Sequence, residues 1–138
     1  MKSLSIVVRD DSYDKILTPL AFAYLEASEG VQVDVLFVNW AVKALAKDGA
    51  KQFKVDGGHA DQDAWLRSQV AKAGLPSDIG EILKQLKATG KVNLYACSLA
   101  ASIFGVDEKD LIPEASGVVG ASWFLNEKAT KADHYQYF

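Results

Sequence analysis

Residues that usually announce chemistry are scarce in this chain: it holds one cysteine and two histidines, with one methionine and three prolines. A lone cysteine, Cys97, excludes an intrachain disulfide and suits a reducing, cytoplasmic setting. His59 and His134 are isolated. His59 lies in the Gly-rich acidic loop GGHADQD without ligand spacing, so no metal centre is expected. Basic excess is also missing. Lys and Arg number 15 against 18 Asp and Glu, giving a net charge of −3. A sequence pI near 5.3 leaves no electrostatic case for nucleic acid or an anionic membrane. No apolar run approaches the roughly 20 residues of a membrane span, and the start, MKSLSIVVRDDSYDK, has too short an apolar stretch for a signal peptide. No GxxxxGK[ST] occurs, and Gly117-x-x-Gly120 lacks the spacing of a dinucleotide fingerprint, so no cofactor is expected.

What is present is a full apolar complement. At 138 residues and 49% hydrophobic, the chain reads as a single domain spanning 1–138. Leu4 to Val8 is short and β-branched and ends in Arg9-Asp10-Asp11-Ser12, a buried strand and its loop. The helix after it ends near Gly30. Thr18 as N-cap with Pro19 at the first helical position is one start, and a start near Ser12 with a kink is the other. Leu20, Tyr24 and Ala27 share a face of it. Val31 to Val38 is the second strand, with Asn39-Trp40 at its tip and a short helix over Ala41 to Lys47. Asp48 to Gly58, rich in glycine and charge, reads as a mobile excursion before a helix from Asp61 to Ala73, on which Trp65, Leu66 and Val70 share a face. Ser77 caps a helix to Ala88 whose Ile79, Ile82, Leu83 and Leu86 form a core stripe. Val92 to Ala96 is the third strand, followed by a short helix from Cys97 to Phe104, closed by Gly105, and by a turn capped by Asp107. Gly117 to Gly120 suits a small central strand, Ala121 to Lys131 the last helix, and His134 to Phe138 a final strand. Strands alternating with helices call for a mostly parallel five-stranded sheet in an α/β/α three-layer sandwich.

In such a sheet, ligands collect at the carboxyl ends of the strands. Arg9-Asp10-Asp11, Asn39-Trp40 and Ala96-Cys97-Ser98 arrive there. At a helix start the Cys97 sulfur meets free backbone N–H groups that favour a thiolate, persulfide or thiosulfonate, and Ser98 adds a hydroxyl donor. The competing reading is a buried filler cysteine. Trp40 reads either as a pocket wall, with Leu99 and Phe104 beneath, or as core. Trp123 and Phe124 invite the same two readings.

The chain resembles the DsrE/DsrF-like family of small sulfur-relay proteins, in particular a branch labelled as peroxiredoxin-like. The likeness rests on Asp14-Lys15 entering the first helix, on Gly30 to Val33 through Phe37 to Trp40, and on YACSLAASIFGVDEKDLI from Tyr95 to Ile112. Ala41 and Ala100 depart from the Gly and Ser of that branch. The resemblance implies a trimer or hexamer and a sulfur-accepting cysteine at Cys97. It also implies partners such as TusA-like carriers or rhodanese-type sulfurtransferases. Together these readings give a sulfur carrier or sulfurtransferase with Cys97 as the reacting residue and a pocket of Ser98, Asn39, Trp40 and Arg9. The alternatives are a non-catalytic docking subunit and a thiol redox sensor.

Overall fold

A computed structural model describes all residues, 1–138. Five parallel strands, β1 (Ser3–Val8), β2 (Gln32–Phe37), β3 (Val92–Cys97), β4 (Gly117–Val119) and β5 (His134–Tyr137), lie in the order β4-β3-β2-β1-β5. The helices are α1 (Tyr13–Ser28), α2 (Asp63–Lys72), α3 (Ile79–Ala88), α4 (Ser98–Phe104) and α5 (Ala121–Glu127). This is the expected α/β/α sandwich.

The topology decides which helix covers which face. From β1 to β4 the chain steps in one direction across the sheet, so right-handed crossovers put α1, α3 and α4 on one side. The return from β4 to β5 runs the other way and puts α5 on the opposite side. Side chains alternate accordingly. Toward α1 point Leu4, Ile6, Val8, Val33, Val35, Phe37, Val92, Leu94 and Ala96, all buried. Toward α5 point Ser5, Asp34 and Asn93, which lie abreast on β1, β2 and β3, with Leu36 and Tyr95 in the next row on that face.

β4 departs from the expected central strand. It is an edge, paired only with Tyr95, Ala96 and Cys97 of β3. Three residues suffice there because an edge needs one partner, and a short edge offers little to a foreign strand. α1 begins at Tyr13 with Ser12 before it, so Pro19 falls inside the helix. Tyr13 and Ile16 are fully buried, and that burial holds the first turns in place although Pro19 has no N–H to donate. The buried stripe is Ile16, Leu20, Ala23 and Ala27, whereas Tyr24 turns outward.

α3 is capped by Asp78, not Ser77: the Glu81 amide donates to Asp78 Oδ1 at 3.1 Å. The Ser77 carbonyl instead accepts the Tyr13 hydroxyl at 2.6 Å. The segment expected to be a mobile excursion is tied down, with Phe53 and Val55 buried. Arg67 donates to Asp63 at 2.7 Å and to the Phe53 carbonyl at 2.6 Å, and the Tyr13 amide reaches the Lys54 carbonyl. Gly49 is required by contact, since a Cβ there would stand 1.9 Å from the Lys43 carbonyl oxygen. α2 buries none of its residues, and Trp65 is 60% exposed. The last helix stops at Glu127 and continues as a 3-10 turn over Ala129–Lys131.

Candidate functional site

Cys97 ends β3 and is the N-cap residue of α4, with extended backbone and no side-chain cap on the helix. The strand-to-helix switch has a local cause. Tyr95 and Ala96 still pair with β2, after which the run Ser98-Leu99-Ala100-Ala101 carries no β-branched residue to resist helix formation. Gly105, at φ 67, terminates the helix seven residues later in the left-handed conformation that glycine adopts without strain. Cys97 is only 4% exposed. None of the four principal concavities of the molecule is lined by it.

The strand register gathers the expected site residues at one end of the sheet but sends their side chains apart. Val8, Phe37 and Ala96 lie abreast on β1, β2 and β3, so Arg9 and Cys97 follow on strands separated by β2, roughly 10 Å apart. Arg9 is exposed and its guanidinium lies 5.5 Å from the Tyr137 ring centroid, on the far side from Cys97. Its carbonyl has a second job: it accepts the Ala41 amide at 3.2 Å and fixes the start of the 3-10 turn Asn39–Leu45. Asn39 enters that turn at φ 50, a left-handed conformation that asparagine tolerates better than most side chains.

Trp40 is 50% exposed and packs on Phe104, ring centroids 4.6 Å apart. Phe104 is the last residue of α4, so this aromatic contact lies at the end of the helix remote from Cys97. Lys43 lies 4.8 Å from the Trp40 centroid and completes the stack. Leu99, expected beneath Trp40, is instead 67% exposed, and Ser98 is exposed beside the sulfur.

Alternation along β3 turns Cys97 to the same face as Tyr95 and Asn93. That face carries groups the sequence did not single out together. Tyr95 meets Trp123 and Phe124 edge-on at 5.6 and 6.1 Å. Asn93 donates to Asp34 at 2.8 Å, and Lys128 pairs with Asp34 at 3.4 Å. Strand alternation marks Asp34 and Asn93 as sharing a face only once their register is known. Lys128 arrives from α5, whose position no local signal gives.

His59 lies elsewhere, in a pocket with Asp14 and Trp65, on the 3-10 turn Gly57–Gln62. No three or more His, Cys, Asp or Glu side chains are grouped so as to hold a metal ion. No helix is long and apolar enough to cross a membrane.

Comparison with solved structures shows the same fold in proteins of low identity. The ychN protein of E. coli superposes with a TM-score of 0.67 at 20% identity, covering 100% of both chains. MTH1491 from Methanobacterium thermoautotrophicum, a protein of unknown function, gives 0.58 at 16% identity over 99% of each chain. BT1422 from Bacteroides thetaiotaomicron, also of unknown function, gives 0.62 at 13% identity over 99% of this chain and 95% of its own. No curated protein shows significant sequence similarity to this one. The DsrE/DsrF-like family matches residues 2–137. That match runs through β1, the Cys97 junction and β5 alike, and the chain belongs to the DsrE/DsrF-like family.

Proposed function

We propose that this protein carries sulfane sulfur on Cys97 in a sulfur relay, the type of function its family suggests. The observation that carries the reading is the position of the chain's single thiol, at the end of a parallel strand and the start of α4. The first-turn N–H groups of α4, which no side chain caps, would favour negative charge on a sulfur at this position.

The chemistry is sulfur exchange. The Cys97 thiolate attacks the outer sulfur of a donor persulfide, a bond forms between Sγ and that sulfur, and the donor's S–S bond breaks to release a thiolate. An acceptor thiolate then attacks the same outer sulfur and Cys97 leaves as thiolate. A donor bearing R–S–S–SO3⁻ loads in the same way: the thiolate attacks the sulfur next to the donor's own, the S–S bond to the donor breaks, and the donor leaves as thiolate while the –S–SO3⁻ group passes to Cys97. No oxidant or reductant is consumed, and no second cysteine is needed within the chain. Burial of Cys97 supports a carrier, because a persulfide there is shielded from small reductants until a partner docks. TusA-like carriers and rhodanese-type sulfurtransferases are the partners of this reading, and a homotrimer or homohexamer is its assembly.

Mass spectrometry after incubation with a persulfide or thiosulfonate donor tests it. Wild type gains the mass of the transferred sulfur and Cys97→Ser does not. A wild type that stays unmodified, or a Cys97→Ser protein that loads equally, sinks the reading. The same burial also favours a second reading, a docking subunit whose cysteine does not react. Under that reading, alkylation of Cys97 is slow and unaffected by the donor, and Cys97→Ala leaves relay flux unchanged.

A further inference from the structure

The loop GGHADQD and the exposed Trp65 take no part in the sulfur site, yet they converge on Asp14. Asp14, Val55, His59, Gln62, Trp65 and Leu66 line a pocket of about 350 Å³, within the usual span of small-ligand sites. It lies beside the first turn of α1, at the carboxyl end of β1, where open parallel sheets receive ligands.

The pocket's walls are fixed by hydrogen bonds around it. Arg67 grips Asp63 and the Phe53 carbonyl and lies 3.9 Å from the Tyr13 ring centroid. Asp63 in turn accepts the Val55 amide at 2.8 Å. α2 and the 53–62 segment are thereby held against the start of α1, and the pocket keeps its shape without a ligand. Arg67 is occupied by these contacts and does not line the cavity.

The lining chemistry is one-sided. Asp14, half-buried, supplies a carboxylate; its Oδ1 is shut off from water without a hydrogen-bond partner, so the charge of the group is only partly screened by solvent. His59 Nδ1 and Gln62 Oε1 are 3.3 Å apart and hold each other on the rim. Trp65, 60% exposed and outside the core, offers an aromatic face. No lysine or arginine lines the pocket, and nearby Lys15 is turned to Asp56 at 3.8 Å. An anion would meet Asp14 without a counter-charge. A metal ion would find a single carboxylate and one imidazole. A carboxylate beside a tryptophan face suits an alkylammonium ion, which needs charge neutralisation at its head and an aromatic surface against its methyl or methylene groups.

We propose that this pocket binds a small alkylammonium ion, with Asp14 neutralising the charge and Trp65 packing against it.

The test uses the full-length protein, choline as probe, and amide and indole NMR shifts as the readout. Choline is expected to bind saturably with a dissociation constant of about millimolar order, moving the Trp65 indole signal. Its uncharged carbon isostere is expected to bind at least about tenfold more weakly, as is choline to Asp14→Asn. Trp65→Leu, at an exposed position that leaves the core intact, is expected to weaken choline about threefold to tenfold. Trp40→Phe changes nothing. The proposal is overturned if choline gives no saturable shift by about 50 mM, where a millimolar site is filled. It is equally overturned if the isostere matches choline, or if a folded Asp14→Asn protein, checked by circular dichroism, binds choline as wild type does.

Discussion

The two faces of the sheet are built from the same five strands and differ in almost everything else. On the α1 side, β1, β2 and β3 present an unbroken apolar surface that α1, α3 and α4 cover. On the α5 side, a helix of seven residues and a 3-10 turn do the covering, over a row in which Tyr135, Ser5, Asp34 and Asn93 lie abreast on β5, β1, β2 and β3. Ser5 Oγ is buried there without a partner, and Tyr135, Tyr137 and Trp123 are largely exposed. The α1 face supplies most of the hydrophobic stabilisation, and Val7, Leu36 and Phe124 add a smaller buried patch on the other. That other face keeps polar groups, exposed aromatics and, by alternation, the thiol.

The contrast can be broken by mutation, and the largest effect belongs to the apolar face. Leu94→Ala removes a fully buried side chain and should cost about 2–5 kcal/mol in urea unfolding. Sulfur loading per folded molecule should stay unchanged. A loss below about 1 kcal/mol would mean that the face is less tightly packed than its burial indicates.

On the other face, Lys128→Met leaves the Asp34 carboxylate, nearly inaccessible in the sheet, without its cation. A loss of about 1–3 kcal/mol is expected, less than for a fully buried pair because Lys128 keeps some contact with water. A stabilised Lys128→Met would show that the polar row is not held together by this ion pair.

At the sheet end, where the two faces meet, Asn39→Val should cost about 1–2 kcal/mol because φ 50 crowds a β-branched side chain. Asn39→Gly should be close to neutral. Equal effects of the two would remove backbone conformation as the cause.

The smallest effect concerns polarity at the margin of the apolar side. The Arg67 hydrogen bond, with the Val55 amide, holds the Asp63 carboxyl below its ordinary value of 3.8. A lowered folded-state value means that its stabilisation is fully present above 3.8 and is lost as pH falls through that lowered value. Asp63→Asn should therefore cost about 1 kcal/mol or less at neutral pH and flatten the stability profile below pH 3.8. Acid unfolding that is identical in the two proteins would assign the clamp to Tyr13 and Phe53 packing instead.

Most of the apolar face could be read directly from the sequence, since β1 and β2 announce themselves as short β-branched runs, β3 as a short apolar run after Gly90, and the α3 stripe of Ile79, Leu83 and Leu86 has helical spacing. The misreadings have identifiable causes. Of the two helix starts that the sequence offers, Ser12 and Thr18, the burial of Tyr13 and Ile16 selects the first, and that burial is tertiary and invisible to local propensity. Trp65 shares a helical face with Leu66 and Val70 by its spacing but is exposed, because α2 is held by Arg67 and Asp63, which sequence periodicity does not weigh. Gly117 to Gly120 gave the strand but not its place, because position in a sheet depends on crossover direction. The strand-to-helix junction at Cys97 is legible in the sequence. The directions of its neighbours are not, because Trp40 and Arg9 are close to it in register while their side chains leave for Phe104 and Tyr137. Of the groups that share its face, Tyr95, Asp34 and Asn93 come together only through pairing across the sheet, and Lys128 joins them from the end of α5.

The pairing of β1 with β5 sets an order of assembly. Asp133 receives the amides of Lys2 and Ser3, and Phe138 bonds across to Val7 and Arg9, partners about 130 residues apart in sequence. During synthesis β1 emerges well before β5, and its outer edge waits while about 130 further residues follow. A nascent chain arrested before Asp133 would thus expose an apolar parallel strand with unpaired amides, the species most prone to pair with a neighbour. Contacts of such long sequence separation also slow the final closure of the sheet. The vulnerable interval therefore lasts until β5 has emerged, and that strand acts as the latch that ends it.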